Sequence, residues 1–293
     1  MQSMRMLLPV LLLAALSAPA QLRVIAFGAH PDDCDLGAGG LAAKLTQMGH
    51  KVKFVSLTNG DAGHHEMGGG MLAKRRRAEA QESGRRLGIE YEVLDNHDGE
   101  LLPTLEVRLQ VIRRIRDWKA DVVISPRSND YHPDHRNTGL VVQDAAYMVV
   151  VPNVAPDTPP LRKNPIFLHF QDRFQRPQPF RPDVAIDIGD VIQKKVDALD
   201  AHESQFYEWL PWVAGNLDSI SRDKVERKQQ LLRARTRTIT PEVRATLEKF
   251  YGKDAAAKVV HYEAFEVSEY GGQPTEAELR RLFPMLPQTA PQR

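Results

Sequence analysis

Apolar residues run almost unbroken over 22–27, and the same kind of short run returns at 51–58, 90–94, 121–125, 166–170 and 184–188. Runs of this length, rich in Val, Ile, Leu and Phe, read as strands buried on both faces. The intervals between them carry helical spacing. A helix is expected from the Gly37-Ala38-Gly39-Gly40 turn to about Met48, with others over 71–87, 104–119, 137–150 and 190–206. The 104–119 segment places Leu105, Leu109, Ile112 and Ile115 on one face. Downstream, 221–250 reads as mostly helical and 258–267 as extended. A short helix, 275–282, precedes a polar Pro/Gln end expected to fray.

Alternation of apolar strands with helices implies an α/β fold, a parallel sheet with helices on both faces. Such sheets bind ligands beyond the carboxyl ends of their strands. His30 follows the first run and His132 the fourth, so residues distant in sequence are predicted at one sheet edge. Two irregular stretches complete the pattern. The first, 59–70, is polar and Gly-rich; the second, 152–182, is Pro-rich and reads as a lid or rim around the 166–170 strand.

Composition and charge exclude partners more than they suggest them. There are 39 Lys and Arg against 38 Asp and Glu, a formal charge of +1, so no basic excess recruits nucleic acid or an anionic membrane. The first twenty residues stand apart. Arg5, the apolar run 7–16 and Ser17-Ala18-Pro19-Ala20 fit a cleaved secretory signal peptide, and the run is too short to span a bilayer. A secreted or periplasmic protein without stable membrane insertion is expected. Cys34 is the single cysteine, so no internal disulfide can form, and no cysteine follows the expected cut to carry a lipid.

The chemistry is concentrated in two blocks about a hundred residues apart, Ala29-His30-Pro31-Asp32-Asp33 and His132-Pro133-Asp134-His135. Proline stops regular structure, so the flanking side chains fan out from a turn and His30 and Asp33 can share a metal. One of His132 and His135 can complete a set of two histidines and a carboxylate, which leaves a position open for water. Asp32 is then free to take a proton. His-Pro-Asp is also a good turn in its own right, but two copies at strand ends favour a metal, with hydrolysis and non-haem iron chemistry both open.

These blocks, with Gly37 and Gly40, resemble the signature pair of the PIG-L/LmbE-like de-N-acetylase family. The similarity extends through Leu57-Thr58-Asn59-Gly60, Arg76, Glu79-Ala80, Leu87-Gly88, Asp98-Gly99 and the 195–205 stretch, over about residues 22–206, with a weaker echo at Glu263-Ala264-Phe265. The resemblance implies a Rossmann-like three-layer fold and zinc-dependent removal of an acetyl group from an N-acetylated sugar. One Zn2+ per chain is implied, Fe2+ being an alternative. Residue by residue it assigns the metal to His30, Asp33 and His135 and makes Asp32 the general base. His132 would stabilise the oxyanion or protonate the leaving amine, Asp134 would orient a histidine and favour its imidazolium, and Arg76 would help hold substrate. Either Asp32 or His132 can supply the proton that the leaving amine needs.

Other residues admit plainer readings beside functional ones. Asp98 is expected to reach sugar hydroxyls, although Asp-Gly is also a common turn. Cys34 reads as a buried inert thiol rather than a metal-proximal thiolate. His64 and His65 belong to a substrate loop or a merely solvated one, and His202 is a site residue or a core histidine. Trp209 and Trp212 form a sugar platform or pack a core. The expected organisation is a signal peptide (1–20), a core (21–206), a C-terminal extension packed on it (207–270) and a partly disordered tail (271–293). The function expected is N-deacetylation of a saccharide. Cleavage of a different amide conjugate, and a non-catalytic metal-containing glycan-binding protein, are the alternatives.

Overall fold

The computed structural model describes residues 21–287; the expected signal peptide and the last six residues lie outside the described residues. Seven strands form one sheet: β1 Arg23–Gly28, β2 Lys51–Thr58, β3 Glu90–Asn96, β4 Val122–Ser125, β5 Ile166–Phe170, β6 Val184–Asp187 and β7 Tyr262–Gly271. Their order across the sheet is β3-β2-β1-β4-β5-β7-β6. The first five strands run parallel, and β7 is antiparallel to both β5 and β6. The helices in the first half are α1 Asp33–Gln47, α2 Gly69–Leu87, α3 Leu105–Trp118 and α4 Pro133–Met148. Those in the second half are α5 Ile192–Asp200, α6 Leu210–Val213, α7 Lys224–Arg235, α8 Pro241–Tyr251, α9 Lys253–Lys258 and α10 Glu276–Leu282.

Alternate residues of β1 serve the two faces. Val24 and Ala26 pack with Leu41 and Leu45 of α1, whereas Ile25 and Phe27 pack with Val111 and Ile112 of α3 and Val141 of α4. The chain steps outward from β1 to β3 and then returns to lay β4 on the other side of β1. That reversal opens a crevice at the carboxyl ends of β1 and β4, where both His-Pro-Asp blocks lie.

Three sequence expectations change. The Gly37–Gly40 stretch is not a turn but part of α1. A Cβ on Gly37 would stand 2.5 Å from the Phe170 ring and one on Gly40 2.7 Å from Ile188, so glycine lets the helix lie directly on its neighbours. α1 does break, at Ala38 (φ −142°, ψ 15°). Side chains from far along the chain satisfy the freed backbone: Glu263 accepts from the N–H groups of Gly40 and Leu41, both at 2.7 Å, and Lys195 donates to the Leu36 carbonyl at 2.8 Å. Lys195 and Glu263 also pair with each other at 2.6 Å.

The helix expected over 190–206 stops at Asp200 and is followed by a π-helical turn, Ser204–Trp209. The 207–270 segment is no appendage, since it supplies most of β7, which is inserted between β5 and β6. Residues 271–287 include the short helix α10, on which Thr275 and Glu278 form a capping box, and Phe283 and Leu286 are buried.

Candidate metal centre and active site

β1 ends at Gly28, and the chain turns through Ala29-His30-Pro31-Asp32 into α1. Asp33 Oδ2 closes that turn by accepting from the N–H groups of Ala29 (2.9 Å) and His30 (2.8 Å). The Ala29 carbonyl is held from β2 by the N–H and hydroxyl of Thr58 and the hydroxyl of Ser56. On the adjacent strand, β4 leads into α4, which His132 caps: its Nδ1 accepts from the Asp134 N–H at 3.2 Å.

The two turns bring three atoms together. His30 Nδ1 lies 3.2 Å from His135 Nε2 and 3.6 Å from Asp33 Oδ2, which is 3.4 Å from His135 Nε2. Ligands about 2.1 Å from a tetrahedral ion stand about 3.4 Å from one another, so these residues fit a zinc-type site with a fourth position open. Two other groups of donors converge, His30/His132/His135 and His30/Asp98/Asp134. His132 Nδ1 is already occupied by its helix cap. Asp98 and Asp134 face the other ring nitrogen of His30, at 3.0 and 3.4 Å from Nε2. His30, Asp33 and His135 thus form a further group of donors that could hold an ion.

Carboxylates stand behind the imidazoles of both His30 and His135. His30 Nε2 is buried against Asp98 and Asp134 without a well-aligned hydrogen bond to either. His135 Nδ1 pairs with Asp130 Oδ1 at 3.0 Å, and Asp130 also accepts from the His132 N–H. Burial lowers the pKa of His30 and His135, but the surrounding acids outweigh it. Asp134, Asp33 and Asp98 hold His30 well above its ordinary value, and Asp33 and Asp130 raise His135 to about 10. The pocket thus favours positive charge, as a cation site requires.

Asp32 sits at the N-terminus of α1 with φ 154°, a conformation that costs a non-glycine residue about 1–3 kcal/mol. It is buried, and Arg76 Nη2 lies 3.3 Å from its Oδ2. Burial pushes its carboxyl up to about 6, against the opposing pull of Arg76 and with Asp33 adding to the rise. A carboxylate so tuned is suited to exchanging protons near neutral pH.

The structure revises several expected roles. Asp134 stands behind His30, and it anchors the 97–101 loop by accepting from Gly99 N–H (2.7 Å) and Leu101 N–H (3.3 Å). Burial and the nearby His30 and His135 lower the pKa of His132, and the bond into Nδ1 assigns its proton to Nε2. It is therefore a neutral donor. The Asp98 side chain is 7% exposed and turns to His30, with Oδ1 3.0 Å from Nε2. Arg76 is only 2% exposed and spends its guanidinium on Asp32 and the Pro31 carbonyl, with Asp98 at 3.8 Å. Both position the groups around the metal set.

Cys34 is buried, and burial together with Asp35 and Asp33 raises its thiol pKa well above the ordinary value, so it is inert. His202 is a core residue, wholly buried with Nε2 3.2 Å from Asp35 Oδ2, which also accepts from the Tyr91 hydroxyl. The 59–70 loop is pinned rather than merely solvated. His64 pairs with Glu208 at 2.8 Å and stacks on His65, which stacks on the half-exposed Trp212. Trp212 in turn stacks on Trp209. Sequence reading passed over Asp130; its position just before the second block, as an Asx turn into a helix cap, was the available signal.

Comparison with known proteins gives concordant matches. The family model PIG-L, GlcNAc-PI de-N-acetylase, matches residues 25–146. A diacetylchitobiose deacetylase of Thermococcus kodakarensis is 34% identical over 198 residues, covering 65% of this chain and 73% of that one. The structure of N,N'-diacetylchitobiose deacetylase from Pyrococcus horikoshii superposes with a TM-score of 0.62 at 28% identity, over 84% of this chain and 83% of that one. The 4-carboxy-2-hydroxymuconate hydratase GalB from Pseudomonas putida shares the fold, with a TM-score of 0.62 at 20% identity over 87% of this chain and 99% of that one.

Proposed function

The chain belongs to the PIG-L family, and from that premise we propose that it is a metal-dependent N-deacetylase that removes the acetyl group from an N-acetylglucosamine-type saccharide. The observation that carries the reading is the His30/Asp33/His135 triangle with its 3.2–3.6 Å edges and the ionisable Asp32 beside it. The fold alone does not select a reaction, because a hydratase shares it. The 34% identity to a diacetylchitobiose deacetylase favours deacetylation.

The chemistry that a zinc ion supplies in such a set is polarisation of an amide carbonyl and acidification of a water. Asp32, ionised above about pH 6, takes the proton of the attacking water. His132 offers its Nε2–H to the carbonyl oxygen as negative charge develops there. Protonated Asp32 then returns its proton to the departing amine, a role that the neutral His132 is poorly placed to share. Arg76 keeps the Asp32 carboxylate in place, while Asp98, Asp134 and Asp130 keep the imidazoles turned toward the ion.

The test is acetate release from N-acetylglucosamine and N,N'-diacetylchitobiose by zinc-loaded protein, with metal content measured in parallel. Asp32→Asn should abolish release and retain the ion. If this variant loses the ion, Asp32 is a ligand. Metal-free protein that turns over as fast as loaded protein would end the proposal. A non-catalytic glycan-binding protein would have no use for a base tuned to about 6, and the presence of Asp32 weighs against it. Among the described residues no helix is long and apolar enough to cross a membrane. We also propose export to the periplasm or medium, supported by the apolar run 7–16 and Ala18-Pro19-Ala20, and tested by the N-terminal sequence of the expressed protein.

A further inference from the structure

A cavity of about 170 Å³ opens onto the metal set, with Asp33 and His135 in its wall. Its cations are unequal. Arg127 is neutralised by Asp172 through two bonds of 2.6 and 2.5 Å. Arg237, exposed in the connection between α7 and α8, has only the neutral amide of Gln171 as a side-chain hydrogen-bond partner, at 3.1 Å. The adjoining cavity, about 200 Å³, shares Leu36 and Arg237 with the first and adds Arg235. Arg235 rests on the Phe206 ring at 5.0 Å, and among the described residues neither it nor Arg237 pairs with a carboxylate. Burial lowers the pKa of Arg235, and Asp32 opposes that shift. Arg237 thus lines the cavity that holds Asp33 and His135, Arg235 lines the one beside it, and neither has a salt-bridge partner among the described residues.

We infer that Arg237 and Arg235 form a subsite for an anionic substituent, a carboxylate or a phosphate, on the saccharide whose acetamide enters the metal site. The inference rests on the deacetylase reading for the saccharide and adds its charge. Guanidinium groups suit either anion, since their paired N–H donors match two oxygens of a carboxylate or phosphate. Gln171 and Phe206 restrain the two side chains, which reduces the ordering needed on binding.

Calorimetry on zinc-loaded Asp32→Asn protein tests this without turnover. The ligands are N-acetylglucosamine, its 1-phosphate and 6-phosphate, and N-acetylmuramic acid as the carboxylate. At least one anionic ligand should bind about tenfold or more tightly than the neutral sugar, and less so at high salt. Arg235→Gln/Arg237→Gln should bring that ratio close to unity, and Arg237→Lys should restore part of it. Equal binding of neutral and anionic sugars, or an anionic advantage that survives the double substitution, overturns the subsite. Arg-dependent anion binding without turnover of any of these sugars by the native protein would sink the deacetylase reading and leave the subsite standing. Turnover of neutral sugar with no anionic advantage would do the reverse.

Discussion

Replacing Asp98 by Asn preserves shape and removes one of two carboxylates behind His30. Asp98 Oδ1 lies 3.0 Å from His30 Nε2 and Asp134 Oδ2 lies 3.4 Å away. A carboxylate in this position makes a ligating imidazole more basic, and its loss costs about 10- to 100-fold in metal affinity, or roughly 1.4–2.7 kcal/mol. Asp134 remains in the variant, fixed by Gly99 and Leu101 N–H groups, so the expected loss is near the lower end, about tenfold to thirtyfold. Competition for zinc against a chromophoric chelator measures the affinity, and kinetics at saturating zinc measure the reaction. The Michaelis constant for the saccharide should stay within about twofold of the native value, because the Asp98 side chain is only 7% exposed and turns to His30. Native zinc affinity combined with a Michaelis constant raised about tenfold would refute the reasoning and put Asp98 on the sugar.

Three further outcomes follow from the same geometry. Asp32 must be ionised to accept a proton, and its carboxyl is raised to about 6. Activity should therefore fall as pH drops through 6 or somewhat lower, since a bound dication pulls the value down; a kcat/KM profile with its acid limb above pH 7 would contradict this. His132→Ala removes the Nε2–H donor and should lower kcat about 100- to 1000-fold while zinc content, read by atomic absorption, is unchanged. Glu263→Gln and Lys195→Met should each cost about 3–5 kcal/mol in urea unfolding, as each strands a buried partner, and the double variant should cost less than their sum; additivity within about 0.5 kcal/mol would mean the pair is not coupled.

The elements nearest the chemistry were the most legible. Apolar runs marked β1, β2, β4 and β5 to within a residue or two, since a strand buried on both faces must be apolar throughout. Both His-Pro-Asp blocks stood out because proline marks a boundary of regular structure, ahead of α1 in the first and as the opening residue of α4 in the second. Glycine misled: Gly37 and Gly40 suggest a turn in one dimension, but their use is close packing against Phe170 and Ile188, residues more than a hundred positions away. β7 was hidden for a similar reason, as an extended segment near the end of the chain does not announce which two strands it will separate.

By itself, the sequence determined the donor types, their attachment to the ends of particular strands, and the presence of a spare carboxylate, Asp32, beside them. These are properties of short stretches, set by local turn chemistry. Only the tertiary structure decided who stands behind whom. Asp134 backs His30 and not His132, Asp98 turns inward to the same ring, Asp130 takes His135, and Arg237 arrives at the mouth of the site without a carboxylate. Those relations depend on β4 being laid beside β1 and on where a side chain's charge points once water is excluded. Hydrogen-bond direction and burial are properties of neighbours in space, which spacing along the chain does not encode.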